Sequence, residues 1–371
     1  MLGIADPLRF LIDLLSFFAI YLMLSISLNI EYGYTGIPNF GKVLFFAGGA
    51  FTVGSLTARL IAPLAGIDLS KIDYRINNVL VGSLVSMFFA KNPAYAIATF
   101  ILMITLGTLI AALLGFIASY PAIRLKEDYL GITLLVAGEL ARIIAKNYDP
   151  LICGTLGVFV PNPFAWVSGR LQEILRMIVL LSFAAAVWLL TNRLLETPFG
   201  RALRALREDE IAAASLGKDV VRLRMTALVL GSAIAGLAGS LYAFYVGSVH
   251  ADDYTPLRTF IVWVMVILGG SGNNAGAALG AFIYVLSERL VMQYKYYIPA
   301  PFDINYLSYV LFGSLLILLL LYKPEGILPE KPIRTIRAEE VEKIRGIIKR
   351  RRERRSSEGT QKFLYSPQER Q

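Results

Sequence analysis

The chain has 371 residues, 56% of them hydrophobic and only 17% charged, with a net charge of +9; a soluble domain carries about a quarter charged residues. Its apolar residues come in runs rather than in alternation, which excludes a soluble globular fold and a membrane barrel of short alternating strands. A single cysteine, Cys153, and a single histidine, His250, exclude an internal disulfide and a cysteine-cluster metal site, and leave no Ser/His/Asp or Cys/His catalytic arrangement.

About 20 helical residues cross the hydrocarbon core of a bilayer. On that measure the predicted spans are 8–30, 43–62, 94–120, 129–147, 171–195, 224–247, 257–270, 276–292 and 305–322. The first is long and followed by many more, so it reads as a span and not as a cleaved signal peptide. An apolar piece at 76–90 is either a further short span or an interfacial segment, for a total of about eight to ten. Two glycine-rich stretches interrupt the pattern, Gly33-Tyr34-Thr35-Gly36-Ile37-Pro38-Asn39-Phe40-Gly41 and Gly269-Gly270-Ser271-Gly272-Asn273-Asn274. Non-helical backbone at membrane depth survives only where protein or a water-filled cavity satisfies it, and transporters bind substrate at such breaks. For 269–274 a tight turn is expected, because 276–292 then forms a span of its own; for 33–41 a turn and a broken span are equal alternatives. Gly36 to Lys42 fits the G-x-x-x-x-G-K core of a phosphate loop. Val43 stands where a Mg²⁺ ligand should be, Pro38 lacks a cradling N–H and no strand precedes it, so the match reads as accidental. Gly272, Gly276 and Gly280, like Ala235 and Gly239, recur every fourth residue, a spacing for close helix packing.

Charge orients the chain. The loop 196–223 carries Arg201, Arg204, Arg207, Lys218 and Arg222, and from Lys323 onward 14 Lys or Arg face 8 Asp or Glu. Both belong on the cytoplasmic side, which puts 149–170 outside and leaves the N-terminus open. The tail, including Lys349 to Arg355, is expected to set orientation and touch anionic lipid rather than nucleic acid. Within the loop, Thr197 to Gly217 reads as one charged helix, with Pro198 at its first position and Gly217 as its stop. Leu203, Leu206, Ala213 and Leu216 form its apolar stripe, and Arg204–Glu208 and Arg207–Glu210 are expected side-chain pairs. Such a helix suits a groove on a soluble partner. A helix lying on the membrane is the alternative, opposed by the acidic run Glu208, Asp209, Glu210.

Ionisable groups inside spans face a partner or a cavity. Glu139 and Arg142 are spaced to pair, as a helix-locking salt bridge in preference to a substrate contact. Asp13, Arg59 and Glu288 sit near span ends, where they snorkel or pair. Asn29, Asn39 and Ser271 are polar groups available to a small-solute pathway. His250 with Asp252 and Asp253 reads as a solvated loop rather than a metal site, so neither metal nor cofactor is expected.

With these residues in view, the chain resembles the LivM-type permease of branched-chain amino acid ABC importers over about residues 20–330. The likeness is carried by Leu28-Asn29 to Gly41 ahead of a Gly- and Phe-rich span, by Arg124 to Thr133 leading to Gly138-Glu139-Leu140-Ala141-Arg142, by Phe199 to Gly217 followed by Ala235 to Gly239, by Val266 to Gly272, and by the closing Lys323-Pro324-Glu325-Gly326-Ile327-Leu328. Glu210, Ala212, Ala213 and Gly217 are similar to the family's Glu-Ala-Ala…Gly coupling pattern. Lys42 stands where the family has His, and Ile152 to Gly157 lacks its Thr-Gly-Gly.

The resemblance implies an all-α polytopic permease of the type II importer kind, in the plasma membrane, with a transmembrane domain over 1–325 and a basic tail over 326–371. It implies no catalysis in this chain, since ATP is hydrolysed by two cytoplasmic subunits. A second related permease and an external substrate-binding protein complete the assembly. The coupling residues it points to are Gly200, Arg201, Arg204, Arg207, Glu208, Asp209, Glu210, Ala213 and Gly217; the pathway candidates are Asn29, Asn39, Glu139, Arg142 and Ser271. The expected cargo is a branched-chain or other hydrophobic amino acid, with urea or short amides as an alternative inside the family. A secondary transporter or channel, and a scaffold whose tail recruits RNA, are the readings from other classes.

Overall fold

The computed structural model describes residues 6–294 apart from Lys126, together with 310, 313–314, 317–318, 321–323 and 325–330. Helix α1 (Pro7–Leu28) is capped by Asp6, whose carboxylate accepts from the Leu8 N–H at 3.2 Å, and it widens at its far end into a π-helical turn, Asn29–Tyr34. After the non-helical stretch 35–41 come α2 (Lys42–Ile61), α3 (Tyr74–Lys91), α4 (Pro93–Arg124), α5 (Glu127–Asn147) and the single turn α6 (Asp149–Ile152). Strand β1 (Val158–Phe159) precedes α7 (Arg170–Glu196), α8 (Pro198–Glu208), α9 (Glu210–Ser215) and α10 (Val220–Val246). Strand β2 (Ser248–Val249), α11 (Pro256–Gly269) and α12 (Asn274–Tyr294) follow. The two short strands pair antiparallel, Val158 opposite Val249.

The protein is an all-α polytopic membrane protein. Among the described residues, 6 helical stretches are long and apolar enough to cross a bilayer: α1 with its π-turn, α2, α4, α7, α10 and α12. Helices α5 and α11 run between the same two ends. The first turns of α5 meet Phe40 and Gly41, and its last turn reaches Asp252. The most enclosed stretches are α1, α2 and α10, whereas α4, α7 and α12 turn most of their surface outward. What joins α2 to α10 is backbone contact. A Cβ added at Gly49 would lie 2.0 Å from the Gly236 carbonyl oxygen, and one at Gly239 would lie 1.9 Å from that of Phe46. Apolar burial gives little drive between helices in lipid, so small residues that admit this approach supply the packing.

The two ends differ. At one end Arg170 pairs with Asp6, Arg75 with Asp149 at 2.8 Å, and β1 with β2. This is the end that charge assigns to the exterior, and the start of α1 lies at the same end. At the other end lie the π-turn, α8, α9, the turn 270–273 and residues 325–330. Helix α3 is not a crossing span. Arg75 near its start meets Asp149 and Ser86 near its end accepts from the Asn162 N–H at 3.1 Å, so it lies along the outer end. Residues 269–274 form the expected turn, with Gly270 and Gly272 at φ 117 and 76. Gly272 therefore belongs to the turn and not to a helix face; only Gly276 and Gly280 press on α11. The expected span 305–322 lies for the most part outside the described residues, as does the tail from 331 onward, including Lys349 to Arg355. The compact unit that holds the helices runs to Glu330.

Candidate functional site

The charged loop is two helices and not one. Asp209 leaves helical geometry at φ −158, and its carboxylate accepts from the N–H groups of Ile211 and Ala212 at 2.9 and 3.0 Å, capping α9. An Asp three residues into a charged run competes for free N–H groups better as a cap than as a helix interior residue. The break corrects the expected stripe. Leu203, Leu206 and Ala213 are buried, but Leu216 is 79% exposed and Ile211 80%. It also corrects the expected pairs. Glu210 binds Arg224 at 2.7 Å, Arg207 binds Glu208 at 3.0 Å, and Arg204 and Arg207 share Glu330, at 3.4 and 2.6 Å. Gly200 sits against the Leu195 carbonyl at the α7–α8 corner, Arg201 is exposed, and Gly217 takes φ 74 after the last turn of α9.

Arg207 reaches inward as well, donating to the Gly33 carbonyl in the π-turn. The π-turn is itself tied to the α11–α12 turn. Asn29 accepts from the Gly272 N–H at 2.9 Å and donates to Asn274 at 2.8 Å, which donates to Asn192 of α7 at 2.7 Å. Gly33 makes this possible, because a Cβ there would lie 2.1 Å from the Asn29 side-chain oxygen. Residues 325–330 close the group: the Ile327 and Leu328 N–H groups donate to the Leu268 and Gly269 carbonyls at 3.0 and 2.9 Å, which presents Glu330 to α8. One knot thus binds α8 to the ends of α1, α11 and α12.

A second group lies deeper. Glu31, in the π-turn, accepts from Lys42 at 2.6 Å and from Asn39 at 2.8 Å, with all three side chains buried. The other Glu31 oxygen makes no hydrogen bond and lies against α10, 2.1 Å from where a Cβ on Gly231 would stand. Around the pair, Trp263 donates to the Asn39 carbonyl at 3.1 Å and stacks on Phe40 with ring centroids 4.6 Å apart, and Thr259 accepts from the Val43 N–H at 3.0 Å. The non-helical stretch 35–41 is thus satisfied by protein at every named contact.

The five pathway candidates do not converge. Asn29 binds the Gly272 N–H at the inner knot, next in the chain to Ser271, Asn39 belongs to the buried pair, and Glu139 with Arg142 stands at the outer end. Arg142 donates to Glu139 at 3.0 and 3.1 Å and to Asp252 at 2.5 Å, and Asp252 also accepts from Lys146 at 2.9 Å. Hydrogen bonding from Lys146 holds the Asp252 carboxyl below its ordinary range. Of the span-end charges, Asp13 pairs with Arg289 at 3.1 Å, Glu288 lies 3.8 Å from Arg289, and Arg59 donates to the Pro150 carbonyl. Among the described residues no group of His, Cys, Asp and Glu is arranged to hold a metal ion.

Residues 10–320 match the family described as branched-chain amino acid transport system / permease component. The chain belongs to this family. The probable branched-chain amino acid transport permease protein LivM of Methanocaldococcus jannaschii is 41% identical over 333 residues, covering 87% of this chain and 96% of that protein. The high-affinity branched-chain amino acid transport system permease protein LivM of Escherichia coli is 29% identical over 357 residues, 89% of this chain and 73% of its own length. A second type of permease is also similar: the probable LivH of M. jannaschii is 29% identical over 313 residues, 82% of this chain and 87% of that protein. No solved structure matches the chain significantly.

For a permease of this family, the polar groups that sequence reasoning missed are Glu31 and Glu330. Glu31 directly follows the uncharged run and read as the end of a span; the π-turn instead aims it into the helix packing. Glu330 looked like one acid in a basic tail, and no local pattern ties it to residues more than a hundred positions earlier.

Proposed function

We propose that this permease is the membrane-spanning subunit of an ATP-driven importer that carries a branched-chain or other hydrophobic amino acid inward by alternating access. The similar proteins are described as branched-chain amino acid permeases of two types, LivM and LivH, which supports a pore made by this chain with a second, related permease. ATP hydrolysis then belongs to two cytoplasmic subunits, and an external binding protein delivers the substrate.

The observation that carries the reading is the α8–α9 element. Its outward face shows Ile211 and Leu216, two large apolar side chains at 80% and 79% exposure beside exposed acids. Its inward face is fastened to the membrane helices through Arg207 and Glu330. A surface that is apolar outside and bolted inside suits a lever: an ATPase groove seats Ile211 and Leu216, and displacement of α8 pulls on Gly33 and on the turn at Gly272. Membrane lipid, not nucleic acid, is the expected neighbour of the basic tail.

The test is co-purification from native membranes in mild detergent with ATP trapped. Ile211→Asp and Leu216→Asp should each strip the ATPase subunits from the permease, while the chain stays folded in the membrane. Recovery of no ATPase with the wild-type chain removes the mechanism and favours transport without nucleotide.

A further inference from the structure

At the outer end, α1, α7, α10 and α12 line an open cavity of ≈ 570 Å³, within the range of small-molecule sites. Its wall carries charges of both signs at membrane-helix positions, where ionisable groups are costly. Asp13 is engaged by Arg289 at 3.1 Å and by the Tyr245 hydroxyl at 2.9 Å. Arg289 is also held over the Phe17 ring at 3.4 Å. Arg176, also on the wall, is different: its Nε is buried and makes no hydrogen bond. Among the described residues no hydrogen bond or ion pair anchors its guanidinium. Buried polar groups are almost always partnered, and a guanidinium fork is shaped for a carboxylate.

The cavity is not a simple anion site. Glu173 stands one helical turn before Arg176 on the same wall, and Asp13 faces the same space. A bare anion meets their repulsion, and a bare cation meets Arg9, Arg176 and Arg289. A ligand carrying both charges a few bonds apart satisfies both sets. Phe10, Ile12 and Met292 give the wall an apolar part, beside Gln293 and Asp6, which Arg170 engages.

We infer that this cavity is a binding site for a zwitterionic α-amino acid with an aliphatic side chain. Its carboxylate pairs with Arg176, its ammonium lies toward Glu173 and Asp13, and its side chain packs on Ile12 and Met292. The inference rests on the importer reading and adds to it a site at the mouth, where a solute arriving from outside first meets the permease.

The experiment uses the full importer complex in nanodiscs, with Met292→Cys as a thiol probe on the cavity wall; the native Cys153 is buried. The rate of labelling by a charged thiol reagent is read against L-leucine concentration. Leucine should slow labelling, while 4-methylpentanoate and isoamylamine, which each lack one of its charges, should protect far less. Adding Arg176→Gln should raise the half-protecting leucine concentration by about tenfold or more, and Arg176→Lys by less. If the complex imports leucine yet leucine gives no protection, or Arg176→Gln leaves protection unchanged, the site is overturned and the importer reading stands. A thiol that reacts in the lone chain but not in the assembled complex marks the face as a contact between permeases, which also overturns it. If the wild-type complex imports no amino acid, the importer reading falls and this site with it.

Discussion

At the scale of single residues, the Glu31–Lys42 pair is the most demanding feature of the molecule. Two charges without water are tolerated only together, since removing one leaves the other uncompensated at a cost of about 3–5 kcal/mol. Glu31→Gln and Lys42→Met should therefore each lower unfolding stability in mixed micelles by roughly that amount. The double variant Glu31→Leu/Lys42→Met should recover much of the loss, because a packed apolar pair needs no compensation. A double variant no more stable than the singles sinks this account. At the outer end the electrostatics are milder. The Asp252 carboxyl is held low, first by hydrogen bonding from Lys146, so its contribution is complete above the unfolded carboxyl's range near pH 4 and fades only as pH falls through the lower folded value. Lys146→Met should thus lower stability by a constant margin between about pH 6 and 8, a margin that shrinks toward zero only below about pH 4, read by thermal unfolding across pH.

At the scale of elements, the joint between α8 and α9 decides how a push is passed on. Arg207 is not available to a partner, because its guanidinium is committed to Gly33, Glu208 and Glu330. Arg207→Ala should then leave ATPase subunits bound but cut substrate uptake severely, with ATP hydrolysis continuing uncoupled. Parallel assays of uptake and hydrolysis separate this from loss of docking, and loss of the ATPase in Arg207→Ala would refute it. Much of this element was legible in the sequence: Pro198 starts it, Gly217 follows its end, and charge places it inside. What was not legible was the break at Asp209, since the same residue fits a helix flank by periodicity and a cap by chemistry, and only the fold chooses. The spans were legible for a related reason, because a bilayer enforces uncharged runs of fixed length. The apolar segment 76–90 obeyed that rule in composition and still lies along the outer end, anchored by Arg75 and Ser86 to residues that no local pattern links to it.

At the scale of the whole molecule, the distribution of charge discriminates between energy sources. A transporter driven by a proton or ion gradient needs a carboxylate in the membrane region that can change its charge during the cycle. Among the described residues, four acids on or beside the spanning helices already have a cation close by. Glu31 is bound to Lys42 at 2.6 Å, Asp13 to Arg289 at 3.1 Å and Glu139 to Arg142 at 2.5 Å, and Glu288 lies 3.8 Å from Arg289. Taking up a proton at such a carboxylate would cost it its ion pair and leave the partner cation uncompensated. On the importer reading the coupling element is instead at the other end, where α8 and α9 join three helix ends in one knot. Energy is therefore expected to enter from that side. Uptake into cells or proteoliposomes holding the full assembly should stop when ATP is withdrawn or when vanadate traps the ATPases. It should be insensitive to a protonophore and nearly flat between about pH 6 and 8. Uptake that survives ATP depletion and collapses with the proton gradient would move the driving force to the paired acids and make Glu31 the first residue to replace.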